Sequence, residues 1–226
     1  MLQVDNIQVS KEYPAPDVSQ LHQARSFADV NEFFDVLKAA NIRYVVMRNW
    51  DALPDIELGG NSDLDILVLE EDLPRFYAVS GVITPNALLS IRLCLARIAD
   101  SYLKIDVRSP LDGYLPSDLA ISMLNTRKVN KNFFIPSKEM FFWSYLYHRV
   151  FQKPWISQEQ VKDLLELSSG LVFLPDLHDL AAIYKLFESK DWKPTRPLDE
   201  WVWWIYRDNT KHYPEWKRYE KIEGAE

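Results

Sequence analysis

Two aspartates, Asp63 and Asp65, stand two apart in the run Gly59-Gly60-Asn61-Ser62-Asp63-Leu64-Asp65-Ile66-Leu67-Val68. The apolar residues that follow predict a β-strand, and on a strand residues two apart point to the same side. The spacing therefore brings two carboxylates together at the mouth of a strand, behind a flexible glycine pair. Such a pair suits a hard divalent cation, since Mg²⁺ takes oxygen ligands, usually one or two carboxylates completed by substrate phosphates. A third carboxylate is available in Leu103-Lys104-Ile105-Asp106-Val107. Alternation puts Leu103, Ile105 and Val107 on one face of that segment, and Lys104 and Asp106 on the other. If the two strands are neighbours, Asp106 joins Asp63 and Asp65 on one side of a sheet. Three carboxylates pointing together repel unless a cation lies between them. Two Mg²⁺ ions would relieve that repulsion, activate a hydroxyl or phosphate nucleophile and steady a leaving pyrophosphate. Asp106 is then expected nearest the attacking group, as metal ligand and base, with Asp63 and Asp65 holding metal and triphosphate.

The elements that must position these groups follow from hydrophobic period. Phe27, Val30, Phe33, Phe34 and Leu37 recur at helical spacing, which predicts a helix over 26–40. Strands are expected at 43–48, 64–69, 88–96 and 102–107, the last two as a hairpin turning at Ala99-Asp100, with a short strand at 133–135. A short helix is expected over 73–79. From Lys138 the pattern is helical, over 139–152, 158–168, 177–189 and 198–208, with Ser157 and Asp176 as N-caps and Gly170 as a stop. The expected class is α+β. A loose polar arm (1–24) is followed by an α/β domain (25–135) carrying a small mixed or antiparallel sheet, then by a helical C-terminal domain (136–226).

Composition narrows the partners. The 226 residues are 47% hydrophobic and 26% charged, and the net charge is −7. That balance disfavours long nucleic acid, which calls for a basic footprint; Arg92, Arg97, Lys104 and Arg108 come nearest to one. The one cysteine, Cys94, lies in an apolar run and reads as a buried inert thiol. The first residues lack the basic start and apolar stretch of a signal peptide, and no run reaches the ~20 apolar residues of a membrane span. A cytoplasmic protein is expected. His178, His212 and Cys94 lack zinc spacing, and no nucleophile elbow, P-loop or dinucleotide fingerprint is present. Trp201, Trp203, Trp204 and Tyr206 read as core or dimer contact; the oligomeric state is left open.

Helix, strand, loop, a strand bearing Asp-x-Asp and a later strand with a single Asp together resemble the DNA polymerase beta-type nucleotidyltransferase superfamily, over roughly residues 26–108. The segments Tyr44-Val45-Val46-Met47-Arg48-Asn49-Trp50, Leu53-Pro54 and Ser62-Asp63-Leu64-Asp65 look like a divergent bacterial branch associated with surface-polysaccharide biosynthesis. The superfamily has a glycine pair after its first strand; here Arg48-Asn49 stands in that place. The resemblance implies a nucleotidyltransferase sheet and Mg²⁺-dependent transfer of NMP from an NTP to a small acceptor, a sugar or polyol phosphate being favoured. It also implies that Arg48 and Asn49 meet phosphate oxygens and that Ser62 binds phosphate or orients Asp63. The helical half would then form one wall of the pocket, with His148 and Lys153 meeting nucleotide or acceptor. Other readings stay open: a surface salt bridge for Arg48, turn or cap roles for Asn49 and Ser62, and a packed histidine for His148. At the level of function they include a non-catalytic nucleotide- or protein-binding module, and NMP transfer to a protein or an antibiotic.

Overall fold

A computed structural model describes residues 18–60, 62–83, 93–152, 158–171, 177 and 179–192. Within them the chain is α+β, with a five-stranded mixed sheet and six α-helices. The strands are β1 (Ser26–Phe27), β2 (Tyr44–Val46), β3 (Asp63–Val68), β4 (Leu93–Ile98) and β5 (Ser101–Arg108), in the order β1-β4-β5-β3-β2. β3 runs parallel to β5, while β2 and β4 flank that central pair antiparallel. The central strands are adjacent, which meets the condition for Asp106 to join Asp63 and Asp65, and Asp65 stands opposite Asp106 in the register.

Alternation divides the sheet into two faces. Leu64, Ile66 and Val68 of β3 join Leu103, Ile105 and Val107 of β5 in one buried cluster, which also holds Cys94 and Ala96. Helix α1 (Val30–Ala39) closes that face with Val30, Phe33, Phe34 and Leu37, all buried. Burying each such side chain stabilises by roughly 1.5–3 kcal/mol before entropy is counted. The α1 helix begins later than its apolar spacing implies. Asp29 caps it by accepting from the Glu32 N–H, and Ser26–Phe27 instead pair with β4 as a strand. Helix α2 (Leu73–Ser80) follows, and the buried Asp72 before it accepts from both the backbone N–H and the guanidinium of Arg43 and from Arg75. The Ala99-Asp100 turn lies where it was expected, with Ala99 at φ 49°; residues 88–92 of the expected first hairpin strand lie outside the described residues.

The opposite face carries Val45, Met47 and Leu67, which form one core with helices from the second half of the chain. Helix α3 (Ser117–Asn125), absent from the sequence reading, buries Leu119, Ala120, Met123 and Leu124 there. A hairpin of β6 (Lys128–Asn130) and β7 (Phe133–Ile135) leads into α4 (Lys138–Tyr147), capped by Ser137. The α4 helix was expected to run to 152; at His148–Gln152 it widens into a π-helical turn. Helix α5 spans Gln158–Ser168, with Gly170 at φ 82° just beyond its end. Helix α6 (Leu180–Ser189) starts with Asp179 accepting from the Ala182 N–H. The expected caps Ser157 and Asp176, the helix over 198–208 and the tryptophan cluster lie outside the described residues. Among the described residues no helix is long and apolar enough to cross a membrane.

Candidate functional site

The open end of the second sheet face is where the three aspartates meet. β3 presents Asp63 and Asp65 and then Leu67; β5 presents Lys104, Asp106 and Arg108 on the same side. The carboxylates thus stand at the edge of the apolar core that α3 and α4 cover, beside a cleft of about 830 Å³. From the strands and the loop after β2, that cleft is lined by Arg48, Asn49, Trp50 and the three aspartates; from α4 and its π-helical turn, by Phe141, Tyr145, His148 and Arg149.

Each of two carboxylates has its own arginine. Arg48 Nε donates to Asp65 Oδ2 at 3.0 Å, and its Nη2 lies 2.8 Å from Oδ1. Arg108 Nε and Nη2 both donate to Asp106 Oδ2, at 3.0 and 2.8 Å. The remaining oxygen, Asp106 Oδ1, is buried and has no hydrogen-bond partner among the described residues. Tyr114 locks the two pairs together: its hydroxyl accepts from Arg48 Nη2 at 2.7 Å, and its ring lies 4.4 Å from the Arg108 guanidinium carbon. Asp112 fixes the loop that presents Tyr114 by accepting from the Ser109 and Tyr114 N–H groups at 3.1 and 2.8 Å.

These pairings decide the electrostatics. Burial is the main cause that lifts the Asp106 carboxyl to about 6; Arg108 opposes the shift and Asp65 adds to it. Burial, then the charge of Asp65, also raises Asp63, against Arg48 and Lys104. Burial disfavours the charge on Arg48, but Asp65 and Tyr114 outweigh it, and the guanidinium stays well above its ordinary value. Among the described residues Asp63 and the Oδ1 of Asp106 carry no arginine, and Lys104, opposite Asp63 in the register, is a further cation of this face.

The donor chemistry fits a divalent cation in part. Asp63 and Asp106 Oδ1 are hard oxygens, and Mg²⁺ needs only one or two protein carboxylates when phosphates complete its shell. Asp65, however, has both oxygens on Arg48. Among the described residues no three His, Cys, Asp or Glu side chains are arranged to close around one ion.

The other expected site residues divide. Asn49 lines the cleft, at φ 60°, a left-handed conformation that asparagine tolerates, and it begins the 3₁₀ turn Trp50–Ala52. Ser62 does not line the cleft; its hydroxyl faces Glu57 at 3.5 Å. His148 lines the cleft but is buried, its Nδ1 against Gln152 Oε1, while Gln152 Nε2 donates to the Tyr114 carbonyl at 2.6 Å. Lys153 lies outside the described residues. The opening glycine pair does not line the cleft either: Gly59, at φ 71°, donates its N–H to the Tyr102 carbonyl at 2.8 Å and ties its loop to β5.

Sequence reasoning missed Tyr114, Arg108 as a partner of Asp106, and Gln152. For Arg108 a signal was present, since it stands two residues after Asp106 and strand alternation gives them one face. Tyr114 carries none, being a loop residue 66 positions from Arg48. Comparison of the chain with models of known families, with curated proteins and with solved structures gave no match in any of the three.

Proposed function

We propose that the chain is a Mg²⁺-dependent nucleotidyltransferase that moves NMP from an NTP to a small acceptor and releases pyrophosphate. The observation that carries this reading is the placement of Asp63, Asp65 and Asp106 on one face of two adjacent parallel strands, at the edge of a cleft large enough for a nucleotide. Asp63 and Asp106 would hold the cation, with Asp65 available where Arg48 releases it. When bound, the cation supplies neutralisation of the triphosphate and makes an oxygen nucleophile more acidic.

The chain's own groups would divide the remaining work. An acceptor oxygen attacks the α-phosphorus, a new P–O bond forms, the bond to the β-phosphate oxygen breaks, and pyrophosphate leaves. Where the attacking oxygen is a hydroxyl, its proton would pass to the carboxylate of Asp106; a phosphate oxygen would attack as the anion and needs no base. Arg48 holds Asp65 in register rather than meeting phosphate directly, so the phosphate role expected for it moves elsewhere in the cleft. Asn49 offers its amide at the mouth. A sugar or polyol phosphate remains the favoured acceptor.

The test is to supply each NTP with Mg²⁺ and a panel of phosphorylated and hydroxylated acceptors while following pyrophosphate. Wild type should release it, and Asp63→Asn and Asp106→Asn should each fall at least 10²-fold. Equal rates in all three proteins would exclude the site. A second reading, a nucleotide-binding module without turnover, is favoured by the arginines already neutralising Asp65 and Asp106. Tight binding of NTP by calorimetry with no pyrophosphate released over hours would select it.

A further inference from the structure

Three guanidiniums line the cleft, and two of them are committed to carboxylates, Arg48 to Asp65 and Arg108 to Asp106. Arg149 differs. Among the described residues it forms no ion pair, and its one hydrogen bond runs from Nη2 to the Tyr145 hydroxyl at 3.2 Å. Its guanidinium carbon lies 4.8 Å from the centroid of the Tyr145 ring. Tyr145 in turn stacks on Phe141, with ring centroids 5.7 Å apart, and Phe141 meets Trp50 edge-on at 4.3 Å.

The spacing explains this ladder. Phe141, Tyr145 and Arg149 follow one another every four residues, so they lie along one stripe of α4 and its π-helical continuation. The stripe faces the cleft, and Trp50 anchors its lower end from the strand side. A guanidinium carries five N–H donors; on Arg149 the Nε is buried and one Nη2 N–H goes to Tyr145, so the ones that remain for a ligand are on the two Nη nitrogens. Held over a ring that is itself stacked, and tied to its hydroxyl, the fork loses little further freedom when it binds. Elsewhere the lining is acidic, and a phosphate-bearing substrate needs a cation to enter it.

We infer that Arg149, held by Tyr145, is the seat for a phosphoryl group of the substrate. The inference rests on the nucleotidyltransferase reading for its choice of ligand but not for its geometry. The group belongs either to the triphosphate of the donor or to a phosphate monoester on the acceptor; both present the oxygens that a guanidinium fork grips in pairs.

The experiment measures binding by calorimetry on the full chain with Mg²⁺, using a non-hydrolysable NTP, pyrophosphate, glycerol phosphate and an unphosphorylated nucleoside as probes. Wild type is compared with Arg149→Met, which keeps the stem without the charge, and with Arg149→Lys, which keeps the charge without the fork. Arg149→Met should weaken the probe that uses the seat about 10- to 100-fold and leave the nucleoside unchanged, with partial recovery in Arg149→Lys. Weakening of NTP and pyrophosphate assigns the seat to the donor, and weakening of glycerol phosphate alone assigns it to the acceptor. Equal affinity of wild type and Arg149→Met for every phosphate probe overturns the seat, as does a wild type that binds none of them. Should Arg149→Met fail to show a cooperative thermal transition, Tyr145→Phe removes only the hydroxyl that holds Nη2, and a phosphate affinity lowered several-fold is the expected result. Pyrophosphate release with an Arg149-independent KM would reject the seat and keep the transfer reading. Arg149-dependent phosphate binding without any release would do the reverse.

Discussion

Asp106 is under two opposing demands: Arg108 favours its charge, and burial beside Asp65 and Asp63 disfavours it. Burial prevails and the carboxyl is lifted to about 6. A raised carboxyl pKa means that the folded chain holds this proton more tightly than the unfolded chain, whose aspartate titrates near ~3.9. The contribution is therefore fully present below about pH 4 and is lost as pH rises through about 6. Relative to Asp106→Asn, wild type should lose roughly 2 kcal/mol of stability between pH 4 and pH 7, read from urea melts at both values. A constant difference across that range would contradict the shift. In the proposed transfer to a hydroxyl acceptor, loss of the Asp106 proton should give kcat/KM an acidic limb that Asp106→Asn lacks. Arg48 makes a separate claim. Its Asp65 pair is nearly buried, and removing one member leaves a buried charge without its partner. Arg48→Met should cost about 3 kcal/mol in thermal or chemical unfolding, with most of that recovered when Asp65→Asn is added. A loss below about 1 kcal/mol would place the pair among ordinary surface bridges.

Elements hold these residues where they act. β3 and β5 supply the carboxylates, but the loop between β5 and α3 supplies Tyr114, and that loop depends on Asp112. Its carboxylate accepts from two backbone N–H groups in a fully buried place. Asp112→Ala would strand both donors, at about 1–3 kcal/mol each. Measured stability should fall by roughly 3 kcal/mol, and if the cleft takes a nucleotide as proposed its affinity should drop as well, because Tyr114 and hence Arg48 lose their hold. Unchanged affinity in a folded Asp112→Ala protein would detach Tyr114 from the site. The π-helical turn at the end of α4 belongs to this scale too. It places His148, Arg149 and Gln152 against the cleft, and such turns recur at functional positions in helices.

Across the whole molecule, the sheet is shared between two cores. One face meets α1 and α2; on the other, Val45, Met47 and Leu67 meet α3 and belong to one core with residues of α4, α5 and α6. Trp192 adds a tie, its indole N–H donating to Asp118 at 2.7 Å and joining the end of α6 to α3. A fragment ending at residue 135 keeps α3 but loses α4, α5 and α6, and with them the cover over Val45, Met47, Leu67 and Met123 and one wall of the cleft. It should show no cooperative thermal transition, whereas residues 18–192 should unfold in one step. A sharp transition in the shorter fragment would make the α/β half an independent unit.

What the sequence by itself determined is local and periodic. Alternation along Asp63-Leu64-Asp65 and Lys104-Ile105-Asp106 dictates which side chains share a face, because a strand has no other way to arrange them. Apolar recurrence in 30–37 and 158–168 likewise requires helices, and the α+β order follows from the succession of periods. Helix α3 was legible in Leu119-Ala120 and Met123-Leu124 but is short and follows Pro116, where a turn reads as naturally. Tertiary structure decided the rest. That β3 lies parallel and next to β5 is a long-range pairing that no local signal encodes. The partners of the carboxylates are long-range as well: Arg48 reaches Asp65 across 17 residues and Tyr114 across 66. Whether an arginine near an aspartate grips a phosphate or balances a buried charge depends on burial and distance. Those exist only once the chain has closed on itself.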